Sequence, residues 1–394
     1  MTSNLQGTFM KRLKFLTEID EQLQAHPICA ILGPRQVGKT TLANQFAQSK
    51  QLEDVVIFDL ENPEDVARLD NAMLALGASD LTIIDEIQRR PELFPVLRVI
   101  VDRTQRKQKF LILGSASRDL IKQSSETLAG RIGYIEITPF SMRETQADPL
   151  TWLRGGFPES YLASSAKNSM TWRKNYITTF VERDIPALGF NIPALQLRRF
   201  WMMLAHCHGQ IFNASDLAKS LMISGHTVRR YLDILAGTFM IRIVQPWFEN
   251  ISKRQVKSPK VYFRDSGILH TMLNIETDAQ LQSHPKLGSL WEGMALEEVI
   301  RTFDDTLNEW FFWATQADAE LDLLLLRGGK RIGFEFKYTD APKITKSMRI
   351  ALQDLKLDHL FVIYPGQNKF PMADKITAYG LEAMVKIEFI TLIG

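Results

Sequence analysis

The stretch Gly33-Pro34-Arg35-Gln36-Val37-Gly38-Lys39-Thr40 constrains this chain more than any other. It has the spacing G-x-x-x-x-G-K-[ST]. An apolar run, Ile28–Leu32, leads into it, and an apolar-periodic segment with Leu42 and Phe46 follows. Strand, glycine-bounded loop and helix is the context in which such a loop wraps phosphate. The glycines admit backbone angles and close approach that a Cβ would obstruct. The N-terminus of the following helix brings partial positive charge to the same point. Gly33, Pro34, Arg35, Gln36, Val37, Gly38, Lys39, Thr40 and Thr41 are therefore the candidate nucleotide contacts, with Lys39 on the β/γ-phosphates and the Thr40 hydroxyl on Mg²⁺.

The loop needs a second half, and the next apolar runs supply it. Val55–Leu60 reads as a short buried-type strand, and Leu81-Thr82-Ile83-Ile84 as another that ends in Asp85-Glu86. Asp85 would hold Mg²⁺ directly or through water, and Glu86 would orient the attacking water. Lys109–Ser117 reads as a further strand, with Ser115 either sensing the γ-phosphate at the C-terminal edge of the sheet or serving as a turn serine. Arg131–Ile137 gives a fifth strand. Helical spacing over residues 9–25 (Phe9, Leu13, Leu16, Ile19) and over 91–101 completes an alternation of helix and strand. The expectation is a parallel, three-layer αβα domain over residues 1–140.

These motifs, taken in order, carry a resemblance. GPRQVGKTT, LTIIDEIQ, FLILGSAS, LAGRIGYIEITPFSMRE and FVERDI together resemble the prokaryotic AAA-type ATPases usually followed by a DUF4143 domain, over nearly the whole chain. The resemblance implies that the strand bearing the sensor separates the Asp85-Glu86 strand from the P-loop strand. It also implies an arginine near the γ-phosphate, supplied in cis or by a neighbouring subunit of a homo-oligomer. Arg131 and Arg183 are the positions that match.

At 394 residues the chain is long enough for two or three domains, and 45% hydrophobic with 23% charged residues is ordinary for a soluble protein. Cys29 and Cys207 lie far apart in sequence and outside any C-x-x-C pair, which argues against disulfides and structural zinc; His206-Cys207-His208 reads as a helix end. The start lacks an apolar signal region, and no stretch approaches the ~20 apolar residues of a membrane span, so a cytoplasmic setting without membrane contact is expected.

Residues 141–195 turn aromatic and helical, a lid or linker expected on the nucleotide face. Residues 196–264 hold eleven Lys and Arg against three acids, an excess of eight in a chain whose total is +2. A capped helix from Asn213, a turn at Ser224-Gly225, a second helix to Leu235 and a strand from Phe239 match a winged helix-turn-helix. Its second helix would present Thr227, Arg229 and Arg230 to DNA, mostly to phosphate; the alternative use of such a fold is protein packing.

Residues 265–394 contain a helix with Glu292 and a hairpin with Glu320 and Asp322 on one strand and Glu335 and Lys337 on the other. A helical Glu, a strand Asp and a Glu-x-Lys strand resemble the PD-(D/E)xK nuclease core, a restriction-endonuclease-like α/β fold. That resemblance implies Mg²⁺ on Asp322, Glu335 and Glu292, with Lys337 positioning water. The departure is that Glu320-Leu321-Asp322 stands where a Pro-Asp would. The leading expectation is an ATPase acting on DNA, with or without metal-dependent cleavage. The competing one is a nucleotide-switched signalling or scaffolding protein whose nuclease-like domain is inert.

Overall fold

In the computed structural model, which describes residues 10–387 except 53, 78, 118–127, 251, 253, 304–308 and 318, the chain divides into two compact units. The first is Met1–Pro139 with Gly237–Phe239, the second Phe140–Ala236 with Met240–Gly394. Phe9 and Lys253 lie outside the described residues.

The first unit holds β1 (Ile28–Leu32), β2 (Val55–Asp59), β3 (Leu81–Asp85), β4 (Lys109–Gly114) and β5 (Ile132–Glu136) in a parallel sheet of order β2-β3-β4-β1-β5. β4 thus stands between β1 and β3, the order implied above. Every residue of β1 is buried. A central parallel strand is covered on both faces, so its sequence shows no alternation. Its Ile28, Ala30 and Leu32 share a core with Phe94, Leu97 and Val101 of the helix Leu93–Arg103 and with Phe110 and Ile112 of β4. Each large apolar side chain so buried contributes about 1.5–3 kcal/mol.

Two local expectations change. β2 is the sheet edge rather than a buried strand: of its residues only Phe58 is buried, and Ile57 is 40% exposed, because β2 pairs with β3 alone. The first helix, Leu13–Ala25, buries Phe15, Ile19 and Leu23 and leaves Leu13 exposed. The stripe runs at i, i+4, i+8 from Phe15, one residue away from the spacing based on Leu16.

In the second unit one sheet of eight strands runs β12-β13-β11-β10-β9-β8-β6-β7. Its strands are β6 (Ile241–Pro246), β7 (Lys260–Phe263), β8 (Trp310–Ala314), β9 (Glu320–Arg327), β10 (Lys330–Phe336), β11 (His359–Tyr364), β12 (Lys369–Ala373) and β13 (Ile376–Gly380). β6 and β7 belong to the segment expected as a separate winged helix, yet β6 pairs in parallel with β8 through Gln245 and Pro246. The boundary placed at residue 264 therefore cuts a continuous sheet. The aromatic segment 141–195 also belongs here: the Asp265 carboxylate accepts from the Gly156 N–H at 2.8 Å and caps the helix Ser266–Met272, and the Gly156 N–H reaches it only because that residue lacks a Cβ that would clash with the Phe140 carbonyl. The three expected segments fold as one unit because their apolar faces are covered by one another.

Candidate functional site

β1 delivers the chain to Gly33, where a Cβ would lie 2.3 Å from the Ile137 carbonyl oxygen. Only glycine fits that approach. The loop then turns through Gln36 at φ 59° and Gly38 at φ 96°, and the helix Lys39–Ser49 begins. That helix has no side-chain N-cap and no acidic residue in its first turn. Its leading N–H groups and the positive end of its dipole are thus left for an anion. Lys39 is buried and donates to the carbonyls of Gly33 and Pro34, both at 3.0 Å. Val37 is buried in the loop, whereas Thr41 is exposed one residue beyond Thr40.

Two strands away, β3 brings Asp85 to the loop, and the Thr40 hydroxyl donates to its carboxylate at 2.5 Å. Burial pushes the Asp85 carboxyl up, while the Thr40 hydrogen bond and the Lys39 charge oppose that rise. A hydroxyl and a carboxylate in contact at the end of a phosphate loop form a fitting pair of ligands for Mg²⁺. Glu86 follows in the left-handed region at φ 55°, a sparsely populated conformation for a non-glycine residue that turns its side chain off the strand axis. Its carboxylate accepts from Ser115 at 3.0 Å and from Gln88, whose amide also donates to Ser115 at 2.9 Å.

Gln88 escaped the sequence reading, as did Arg89. Arg35 of the loop and Arg89 both bind Glu61, at 3.1 and 2.8 Å. Their convergence was not legible because Glu61 lies on the far side of β2 in sequence. The arginine expectation fares differently. The Arg131 carbonyl accepts from Ile28 N–H, so Arg131 sits at the start of β5, the edge of the sheet opposite the loop. Five strand residues, roughly 16 Å, separate the two edges. Its guanidinium is paired with Asp102 at 2.8 and 3.0 Å, so it is not a cis ligand of the γ-phosphate. Arg183 lies exposed on a π-helical turn, Phe180–Asp184, of the second unit.

In the second unit the helix Gly225–Gly237 buries Val228, Tyr231, Leu232, Ile234 and Leu235, leaving Arg229 and Arg230 exposed. The Ser224 side chain caps it through the Thr227 N–H at 3.0 Å and contacts the Thr227 hydroxyl at 2.8 Å. The basic excess of this region is not all surface. Arg242 and Arg264 turn inward on Glu297, where burial alone would raise that carboxyl but they and Arg301 hold it down at about 2. Lys260 turns inward as well.

Lys260 enters the acidic cluster. Its ammonium lies 3.8 Å from Glu292 and 3.9 Å from one oxygen of Asp322, and it binds Glu320. Lys337 lies 3.9 Å from the other Asp322 oxygen and 2.9 Å from Glu335. Tyr262 donates to Glu292 at 2.8 Å, and the Phe336 N–H to Asp322 at 2.9 Å. Burial and then the Asp322 charge push Glu292 to about 7 and Glu335 to about 8. The expected residues do converge, but two ammonium groups stand among them. Among the described residues no group of three or more His, Cys, Asp or Glu side chains is disposed to hold a metal ion. With the Lys260 ammonium standing beside Glu292 and Asp322, the set Asp322, Glu335 and Glu292 as arranged leaves Mg²⁺ a poor fit, and Lys260 is the residue that motif spacing could not supply.

Comparison with known proteins matches residues 25–146 to the family described as an AAA domain, residues 149–279 to a domain of unknown function, DUF8612, and residues 287–384 to another, DUF4143. Two uncharacterized proteins, of Mycobacterium bovis and Mycobacterium tuberculosis, are each 46% identical over 381 residues, covering 96% of this chain and 85% of theirs. A solved Walker-type ATPase of Pyrococcus abyssi is 14% identical, with a TM-score of 0.47, over 69% of this chain and 98% of its own. Among the described residues no helix is long and apolar enough to cross a membrane.

Proposed function

The chain belongs to the family of AAA-domain proteins that carry a C-terminal DUF4143 domain, and from that premise we propose that it binds ATP with Mg²⁺ and hydrolyses it. The observation that carries the reading is the meeting of Thr40 with Asp85 beside a loop whose helix N-terminus is uncapped. Thr40 and Asp85 would hold Mg²⁺, which supplies neutralising charge at the phosphates. Lys39 and the loop N–H groups of residues 33–41 bind the β- and γ-phosphates. Glu86 orients the attacking water and takes its proton, and Ser115 and Gln88 fix where that carboxylate points. Arg183 is the arginine we retain for the γ-phosphate, supplied by a second copy of the chain. Phosphate release measured with and without Mg²⁺ tests the reading. Hydrolysis that persists in Glu86→Gln would overturn it.

A second reading concerns DNA. The order helix Ala194–His206, a short bridge at Ile211, helices Ala214–Leu221 and Gly225–Gly237, then antiparallel β6 and β7 supports a winged helix-turn-helix. Exposed Arg229 and Arg230 support phosphate contact by its second helix. Replacing both by Ala should weaken binding to every DNA sequence and reduce the salt slope by about two. Undetectable binding at low salt would leave protein packing as the role of this segment.

The DUF4143 region follows the order helix Leu287–Phe303, antiparallel β8, β9 and β10, helix Lys346–Asp354 and β11 parallel to β10. That order supports a restriction-endonuclease-like fold. Lys260, an ammonium additional to the Lys337 that the nuclease pattern itself includes, favours a version that does not cleave, in which the region binds or scaffolds rather than hydrolyses.

A further inference from the structure

We propose that Lys260 is the resident cation of the acidic cluster, holding Glu292, Glu320 and Asp322 together in place of a divalent metal, and that removing this one ammonium creates a divalent-cation site. The inference rests on the reading of the DUF4143 region as a non-cleaving nuclease-like fold. A divalent ion binds carboxylate oxygens at about 2.0–2.6 Å. The centre of the three carboxylates is where the Lys260 ammonium sits, within 3.8 Å of Glu292 and 3.9 Å of Asp322 and bonded to Glu320. A metal at that point would be in steric and electrostatic conflict with it.

Nor is the side chain free to leave. Its backbone is fixed in β7, paired with Val244 and bridged to Ile211, its ammonium lies over the Phe312 ring at 5.6 Å from the centroid, and the residue is 4% exposed. The remaining oxygens are engaged too. Tyr262 holds Glu292, the Phe336 N–H holds Asp322, and Lys337 lies between Asp322 and Glu335. Without Lys260, three carboxylates from the helix Leu287–Phe303 and β9 would face one another with one positive charge fewer. Like charges brought together in that way gain most from a small, strongly charged oxygen-seeking ion.

The test is Mn²⁺ binding to the full chain without nucleotide, followed by the paramagnetic resonance signal of free Mn²⁺. Wild type should bind no stoichiometric Mn²⁺. Lys260→Met should bind one ion at least about tenfold more tightly than wild type, and Lys260→Met with Asp322→Asn should lose that gain. Stoichiometric Mn²⁺ bound by wild type and abolished by Asp322→Asn overturns the proposal, as does folded Lys260→Met that gains none. Where Lys260→Met does not fold, the wild-type thermal midpoint decides: indifference to Mn²⁺ supports the proposal, and a rise abolished by Asp322→Asn overturns it. DNA cleavage by wild type with Mn²⁺ would count against the non-cleaving reading itself, separately from a variant that merely fails to gain the ion.

Discussion

At the P-loop the ammonium of Lys39 rests on the carbonyls of Gly33 and Pro34, whereas in the acidic cluster that of Lys260 rests on Glu292, Glu320 and Asp322. The first set of partners, those two carbonyls, is neutral, and the same ammonium acts on the Asp85 carboxylate. A phosphate arriving at the loop meets a positive side chain, an uncapped helix N-terminus and no acidic residue in the first helical turn. The second set is anionic, so the lysine charge is already answered and an incoming cation finds its place taken. Both regions combine lysine with carboxylate, and both would satisfy a pattern search. What separates them is that the Lys39 ammonium hydrogen-bonds two carbonyls of the loop, whereas the Lys260 ammonium stands among three carboxylates, and displacing charge partners costs much the more.

That comparison can be broken most directly at Lys39. Lys39→Ala should lower ATP hydrolysis by about a hundredfold or more, read as phosphate release, while Glu86→Gln should retain nucleotide and trap it. Equal, mild losses in the two variants would remove the division of roles between them.

The next largest effect belongs to the other lysine. Lys260→Met leaves Asp322 and Glu292, both largely shielded from solvent, without their cation and should cost about 3 kcal/mol in chemical denaturation. Lys260→Met combined with Asp322→Asn should recover part of that loss, because the double change removes charge of both signs. A single variant as stable as wild type would mean that the ammonium is not holding the cluster.

A smaller effect lies in pH. The Glu335 carboxyl is raised from its ordinary 4.5 to about 8 by burial and by Asp322, so the folded chain keeps a proton that the unfolded chain has lost between those values. Its contribution to stability is therefore full below about pH 4.5 and is lost as pH rises through about 8. Denaturation midpoints followed across that window should fall in wild type and fall less in Glu335→Gln. An unchanged slope would show that Glu335 titrates normally.

The smallest change is expected at Arg131. Because it is paired with Asp102 at the edge of the sheet away from the loop, Arg131→Ala should leave hydrolysis within about twofold of wild type in dilute protein. A large loss that grows with protein concentration would instead place it in the site of a neighbouring copy.

The nucleotide half of the molecule was legible in advance because its parts are local. Gly33 to Thr40 are contiguous, and Asp85-Glu86 ends an apolar run whose type needs no partner to recognise. Even there the details went astray where pairing decided them. Val55–Asp59 has the composition of a buried strand, but its place at the edge of the sheet leaves it half exposed. Arg131 sits in a motif, but the direction of β5 puts it at the end away from the loop of its own chain. Gln88 is only two residues from Glu86, and nothing in its spacing says that it will hold that carboxylate.

The sequence by itself determined the phosphate loop, the helix–strand alternation of the first unit, and the placing of Glu320 with Asp322 and of Glu335 with Lys337 on the faces of one hairpin. Each depends on a period, a glycine or a short spacing carried by adjacent residues. Only the tertiary structure decided that β6 and β7 join the C-terminal sheet, that the basic excess of 196–264 is partly turned inward, and that Lys260 enters a cluster whose nearest acid is more than thirty positions away. The physical reason is that burial and charge compensation are set by what the chain packs against, and a lysine reads alike in sequence whether it will meet solvent, phosphate or a carboxylate.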